Sequence, residues 1–198
     1  MNLQSLEISL FAGRDANVYA SDLARLRINI FRSFPYLYDG DMDYEGHYLD
    51  TYFKADSARV VVCFDRQTLV GASTVVSLKE ESEDFVAPFL ELGLDPNDVM
   101  YFGESVLLSQ YRGLGVGKLF FEERLKYARL SGATHAAFCA VVRAEDHPLR
   151  PKGYRPLDGL WLQFGFEPVK DLFVKMTWRQ VDSLDQVKNS LQVWIKKL

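Results

Sequence analysis

One segment, Gln110-Tyr-Arg-Gly-Leu-Gly-Val-Gly-Lys118, constrains this chain more than any other. An apolar stretch, Met100–Leu108, runs into it. A helical pattern, Gly117–Leu130, runs out of it, with Phe120, Phe121, Leu125 and Ala128 on one face and Gly132 as its stop. A strand, a glycine-rich turn and a helix in that order make an anion site. The first N–H groups of a helix lack partners within it and point outward. The helix dipole adds roughly half a positive charge there. Glycine lets a phosphate approach the backbone with no Cβ in the way. Arg112 and Lys118 add charge at the rim. Two phosphate-binding patterns do not fit. A P-loop ends in Gly-Lys-Ser/Thr, whereas Lys118 is followed by Leu119, which offers magnesium no hydroxyl. A dinucleotide fingerprint needs Gly-x-Gly-x-x-Gly, and the spacing Gly113-x-Gly115-x-Gly117 is one residue short.

Periodicity around this segment predicts an α/β chain. Residues 3–11 read as a first strand. Ser21 and Asp22 open a helix that carries Leu23, Leu26, Ile30 and Phe34 and is closed by Pro35. After an aromatic and acidic turn, Tyr36–Glu45, the residues Tyr44, Tyr48, Tyr52 and Phe53 predict a second, short helix. Arg59–Phe64 and Leu69–Leu78 are β-branched runs that predict a hairpin. An acidic excursion, 79–97, carries a short helix near Phe85–Leu92. Met100–Leu108 reads as one strand. Thr134–Val142 reads as another, apolar throughout, as strands covered on both faces are. Pro156–Phe164 reads as a short helix ended by Gly165, and Glu167–Trp178 as one or two strands. In the tail, Leu184, Val187, Leu191, Trp194, Ile195 and Leu198 fit a helical face, but Asn189-Ser190 opens a strand better than it continues a helix. Leu191–Lys196 is therefore read as a strand. The expected fold is α/β (α+β), a central mixed, mostly antiparallel sheet flanked by helices. Residues 1–180 form the domain and 181–198 a C-terminal extension, an added strand or short helix of the same domain, which could also serve a homodimer.

A net charge of −4 argues against a general nucleic-acid binder, which shows a basic excess. The two cysteines, Cys63 and Cys139, sit in apolar runs and read as reduced core thiols. His47, His135 and His147 have no metal-ligand spacing, so no metal is expected. No apolar run approaches the ~20 residues of a membrane span. The N-terminus lacks a signal-peptide pattern, so the cytoplasm is the expected location.

Arg112-Gly-Leu-Gly115-Val-Gly117 fits the pattern Gln/Arg-x-x-Gly-x-Gly, and Leu160-Trp-Leu-Gln-Phe-Gly-Phe166 matches a later signature in which a short helix ends in Gly-Phe before a strand. By these two stretches the chain resembles the GNAT (N-acetyltransferase) superfamily over roughly residues 3–178. The resemblance implies a single GNAT-like domain and acetyl-CoA as co-substrate. It implies that the backbone of Gly113, Leu114, Gly115, Val116, Gly117 and Lys118 holds the pyrophosphate, with Arg112 beside it. Leu107 and Leu108 would pair with the pantetheine arm where two strands part, and the thioester would lie near Leu107.

Acyl transfer to an amine needs a neutral amine, a donor for the oxyanion and a proton for the thiolate. Members of the family often use a tyrosine as acid four residues before the Gly-Phe glycine. Here that place is Trp161, whose indole is no practical acid. Tyr154, seven residues earlier, is the candidate acid. Glu104, in an otherwise apolar strand beside Gly103, is the candidate base, because desolvation raises a carboxylate towards useful basicity. Gly103 suggests a bulge or a close backbone approach.

For the acceptor, the loop Arg143–Arg155 offers His147 and Arg150 stiffened by Pro148 and Pro151, and the turn Tyr36–Glu45 offers Tyr38 among acids. Together they suggest a small amphoteric amine such as an amino-acid derivative. The resulting expectation is an acetyl-CoA-dependent N-acetyltransferase of a small-molecule amine. The alternatives are an acyl-CoA-binding sensor without catalysis and a protein N-acetyltransferase.

Overall fold

Strict alternation explains why the long apolar runs are strands. In β2 (Arg59–Asp65) Val60 and Val62 pack into one layer, while Val61 and Cys63 pack into the other. In β6 (His135–Val141) Ala137 and Cys139 face the first layer, and Ala136 and Phe138 the second. A sheet with helices on both sides buries both faces of its central strands, so alternation of polarity disappears from the sequence.

The computed structural model describes residues 6–198. Its eight-stranded sheet has the order β1-β2-β3-β4-β6-β8-β7, with β5 paired to β3. The remaining strands are β1 (Leu6–Ala12), β3 (Thr68–Ser77), β4 (Val99–Tyr101), β5 (Ser105–Leu107), β7 (Glu167–Arg179) and β8 (Gln186–Lys197). Among the described residues β4 and β6 run parallel and the other strand pairs antiparallel. The single turn α1 (Gly13–Ala16) and the helices α2 (Ala20–Phe31), α3 (Met42–Lys54) and α4 (Glu83–Glu91) contribute to the first layer. The second holds α5 (Val116–Leu130) and α6 (Asp158–Gln163). No described helix is long and apolar enough to cross a membrane. This is the expected mixed α/β architecture, and residues 3–5 of the expected first strand lie outside the described residues.

Three expectations are corrected. The first helix ends at Phe31, so Phe34 sits in the following turn and not on the helical face. The stretch Met100–Leu108 is two strands, not one. Thr74 of β3 meets both Gly103, whose N–H donates to its carbonyl at 3.2 Å, and Glu104, whose carbonyl accepts from its N–H at 3.1 Å. Two residues opposite one make a bulge, which bends the strand and ends its pairing with β6. Gly103 is required there, because a Cβ would run into Tyr52 Oη and Thr74 Oγ1.

The third correction concerns the tail. Gln186–Lys197 is a strand longer than Leu191–Lys196, and it lies between β6 and β7. It is an interior strand of the sheet.

Candidate active site

The bulge opens the molecule. β4 follows β6 as far as Tyr101 opposite Ala137, and the Phe102 N–H still donates to Ala137 O at 2.7 Å. Beyond that point β5 pairs only with β3, and Phe138–Val141 pair only with β8 among the described strands. The sheet parts, and a cleft of about 990 Å³ fills the gap. Ser105 and Leu107 line one wall, Ala140 and Val141 the other, and the glycine segment its mouth.

The edge of β5 that faces this cleft is not fully used. Glu104 O accepts from Thr74, and the Leu108 N–H donates to Val70 O at 3.0 Å. In an antiparallel ladder alternate residues turn their amides the opposite way. Leu107 therefore points its N–H into the gap, and its carbonyl accepts from Arg112 Nε at 3.4 Å. Leu108, expected to pair with a ligand alongside Leu107, spends its amide on β3 instead.

At the mouth, Gly113 and Gly115 have φ of +77° and +86°, which turn the backbone into the N-terminus of α5. The N–H groups from Gly113 through Gly117 have no acceptor among the described residues, whereas Lys118 and Leu119 close back onto Gly115 O. A Cβ at Gly113, Gly115 or Gly117 would meet nothing within 4 Å. A concave row of free amides over open space, at the positive end of a 15-residue helix, suits a pyrophosphate. Arg112 and Lys118 are exposed at its rim, while the side chain of Val116 is buried and only its amide can serve.

Behind Glu104 lies a second, smaller chamber of about 70 Å³. Aromatic side chains of α2, α3 and the turn between them dominate its wall, with Tyr38 and Tyr48 among them, and Trp178 of β7 adds to it. Phe31, Tyr36, Gly103, Glu104 and Cys139 line both spaces, so the chamber and the cleft meet at Glu104.

Glu104 is buried and engaged. Its carboxylate is paired with Arg27, which also pairs with Glu45, and it accepts from Tyr48 Oη at 3.0 Å. Burial alone would lower the Arg27 pKa, but Glu104, Tyr48 and Glu45 outweigh it and hold the guanidinium firmly charged. One guanidinium serves two carboxylates, so the cluster has a carboxylate in excess. Tyr38 is 9% exposed, and neither its Oη nor Oε1 of the fully buried Glu45 has a hydrogen-bond partner among the described residues. Burial first, and then Glu45, raise the Tyr38 pKa well above its ordinary value.

Tyr154 lines the cleft, its ring set edge-on to Phe34 with centroids 4.7 Å apart. Partial burial raises its pKa, Asp158 adds to this, and Arg150 opposes it. Arg150 stacks over the same ring at 5.3 Å and lines the cleft, not the chamber. His147 lines neither space. Its Nδ1 accepts from the Leu149 N–H at 3.2 Å, and its ring packs near Phe34. Arg143 is tied to the opposite loop, donating to Pro35 O at 2.6 Å and Tyr36 O at 3.1 Å. Trp161 packs between Phe138 and Trp194 at 5.0 and 4.9 Å, as an apolar wall of the cleft. Cys139 is buried, and its thiol is pushed up to about 12 by desolvation, which disqualifies it as a nucleophile.

Sequence reasoning missed Arg27, Glu45, Tyr48 and Arg124. Arg124 is 2% exposed and reaches Ser105 Oγ at 2.8 Å and Glu104 O at 3.3 Å from α5. Desolvation lowers its pKa to about 9. The signal for both arginines was present. Arg27 follows Leu23 by four residues, and Arg124 follows Phe120 by four, so each interrupts an apolar helical stripe.

No family model matches the sequence, and neither does any curated protein. Solved structures do match. The ribosomal-protein-alanine N-acetyltransferase of Brucella melitensis superposes with a TM-score of 0.63 at 14% identity, over 97% of this chain and 99% of that one. A GCN5-related N-acetyltransferase from Kribbella flavida gives 0.60 at 16% identity, over 98% and 99%. The yncA protein of Salmonella typhimurium, solved with its cofactor acetyl-CoA, gives 0.61 at 11% identity, over 98% and 94%. Across nearly its whole length this chain has the GNAT acetyltransferase fold.

Proposed function

We propose that the chain is an acetyl-CoA-dependent N-acetyltransferase acting on a small-molecule amine. The observation that carries this reading is the parted sheet, with unpartnered amides at its mouth and the free Leu107 N–H inside. The amides of Gly113 to Gly117 would hold the pyrophosphate, with Arg112 and Lys118 adding charge. Leu107 would offer its N–H to the thioester oxygen, a donor aimed at charge that grows in the transition state. The amine nitrogen would enter from the chamber beside Glu104. It attacks the carbonyl carbon, a C–N bond forms and the C–S bond breaks. The acetyl group ends on nitrogen, which gives up a proton to Glu104, and the sulfur leaves as a thiolate that Tyr154 or solvent protonates.

The chamber narrows the acceptor. Its volume is less than half the ~150 Å³ that holds a benzene ring, so a short amine-bearing end is what fits. Its lining cation, Arg27, is already shared by Glu45 and Glu104. A carboxylate entering there would find no free partner and would face two acids, which is costly in a desolvated space. The acceptor is therefore an amine whose reacting end has an apolar neighbourhood, in place of the amphoteric molecule expected from the loops. A flat groove for a protein substrate is less compatible with so small a chamber. The two buried thiols suit a cytoplasmic setting.

The test is a panel of primary amines paired with the matching amino acids, with acetyl-CoA, read by thiol release. The amine is expected to exceed its amino acid by about tenfold or more in kcat/KM. Glu104→Gln is expected to lower kcat by about a hundredfold with acetyl-CoA affinity retained. The packing of Trp161 where an acid often stands favours the sensor reading. Tight acetyl-CoA binding with no turnover on any amine would establish it.

A further inference from the structure

Glu104 heads a chain of hydrogen bonds that leads out of the site. Tyr48 Oη lies 3.0 Å from Glu104 Oε2, Tyr52 Oη lies 3.2 Å from Tyr48 Oη, and Glu81 Oε1 lies 2.7 Å from Tyr52 Oη. Tyr52 is buried, and Glu81 is half-buried at the far end. The chain has three links, and each needs one hydrogen. The two tyrosine hydroxyls supply two. With both carboxylates ionised, each tyrosine would donate outward, and the two hydroxyl oxygens would face each other with no hydrogen between them. One more proton completes the chain. Glu104 Oε2 also accepts from Arg27, whereas no described cation pairs with Glu81. The extra proton therefore rests on Glu81, with every hydroxyl donating towards Glu104.

We propose that Glu104, Tyr48, Tyr52 and Glu81 form a proton relay that takes a proton from the acceptor amine at Glu104 and releases one to solvent at Glu81. This rests on the acyl-transfer reading for its use, but not for its existence. The balance is simple. An ammonium and a thioester become an amide, a thiol and one proton. When Glu104 takes that proton the donors reverse along the chain, Tyr48 towards Tyr52 and Tyr52 towards Glu81, and the proton on Glu81 leaves. One hydrogen then shifts across each link, from Glu104 to Tyr48, Tyr48 to Tyr52 and Tyr52 to Glu81, which leaves Glu104 ionised and Glu81 protonated again. The groups that set this direction are Arg27 from α2, Tyr48 and Tyr52 from α3, the Arg124 side chain at Glu104 O, the Ser82 N–H at Glu81, and Tyr101 of β4 nearby. Burial raises the Glu81 pKa, while hydrogen bonding with Tyr52 and with the Ser82 N–H lowers it.

Infrared spectroscopy of the carboxyl region in H₂O and D₂O tests the relay without turnover. The wild type at pH 7 is expected to show a protonated carboxyl band that is lost in Glu81→Gln and kept in Glu83→Gln. Its absence from the wild type, or its persistence in Glu81→Gln, overturns the proposal. In thiol-release assays Tyr52→Phe, which removes one hydroxyl from the middle of the chain, is expected to lower kcat by about tenfold and leave both KM values unchanged. An unchanged kcat overturns the relay. Failure of the wild type on every amine overturns the acyl-transfer reading instead, and the infrared band still decides whether the chain holds its proton.

Discussion

At the scale of single residues the site is governed by which polar groups are spoken for. Glu104, the candidate base expected in a desolvated strand, is one of two carboxylates on one buried guanidinium. That arrangement fixes its orientation. Tyr154 is less constrained. Its hydroxyl has no protein partner among the described residues, and its pKa is raised by partial burial. If it protonates the thiolate, it stays a competent acid at and above the ordinary tyrosine value of about 10. Tyr154→Phe is expected to lower kcat roughly tenfold to a hundredfold, and to abolish the alkaline fall of the kcat profile near and above that pH. A pH–rate profile of both proteins checks this, and an unaltered alkaline limb assigns the acid elsewhere.

At the scale of elements the glycine turn and α5 act together. Gly115 is the N-cap of α5 at φ +86°, and Gly132, just past the end of the same helix, sits at φ +79°. A Cβ at either meets open space, so the backbone cost of alanine is similar, about 1–2 kcal/mol. They differ in what the open space is for. Gly115→Ala is expected to lower acetyl-CoA affinity by about tenfold, while Gly132→Ala lowers Tm by a similar amount and leaves affinity unchanged. Calorimetric titration with thermal melts of both variants separates the cradle from mere backbone strain. The bulge at Gly103–Glu104 is the other element-scale device. It ends pairing with β6 and so creates the cleft in which the amides of Leu107 and the turn become useful.

For the whole molecule the aromatic and thiol content of the core sets a pH limit. Burial raises the pKa of Tyr36 to about 12 and that of Cys139 to about 12, and desolvation lifts Tyr48, Tyr52 and Tyr101 well above their ordinary range. Each such group has a folded pKa above its unfolded one. Its contribution is intact below the unfolded value, about 10 for tyrosine, and is lost as pH rises from there through the folded value. Tm is therefore expected to be flat from pH 7 to about 8, to ease above the ordinary cysteine value of about 8.5 and to fall steeply above about 10, with the phenolate absorbance of the buried tyrosines appearing only with unfolding. Titration of every tyrosine in the folded protein would contradict the buried network.

The sequence alone was enough for the strands with continuous apolar runs, for α5 and for the glycine turn that opens it. Each depends on residues that are neighbours along the chain, where backbone geometry and side-chain period act directly. Spacing within Arg112–Lys118 excluded other phosphate motifs, and the amides of Gly113 to Gly117 have no acceptor among the described residues, as a helix N-terminus dictates. What only the tertiary structure decided is the chemistry beyond the cradle. Arg27 meets Glu45 and Glu104 across 18 and 77 positions of sequence. The relay joins three separate segments, and β8 enters the sheet between β6 and β7. No local pattern encodes such meetings. They follow from burial, which forces charged and hydroxyl groups on different elements to satisfy one another once water is gone.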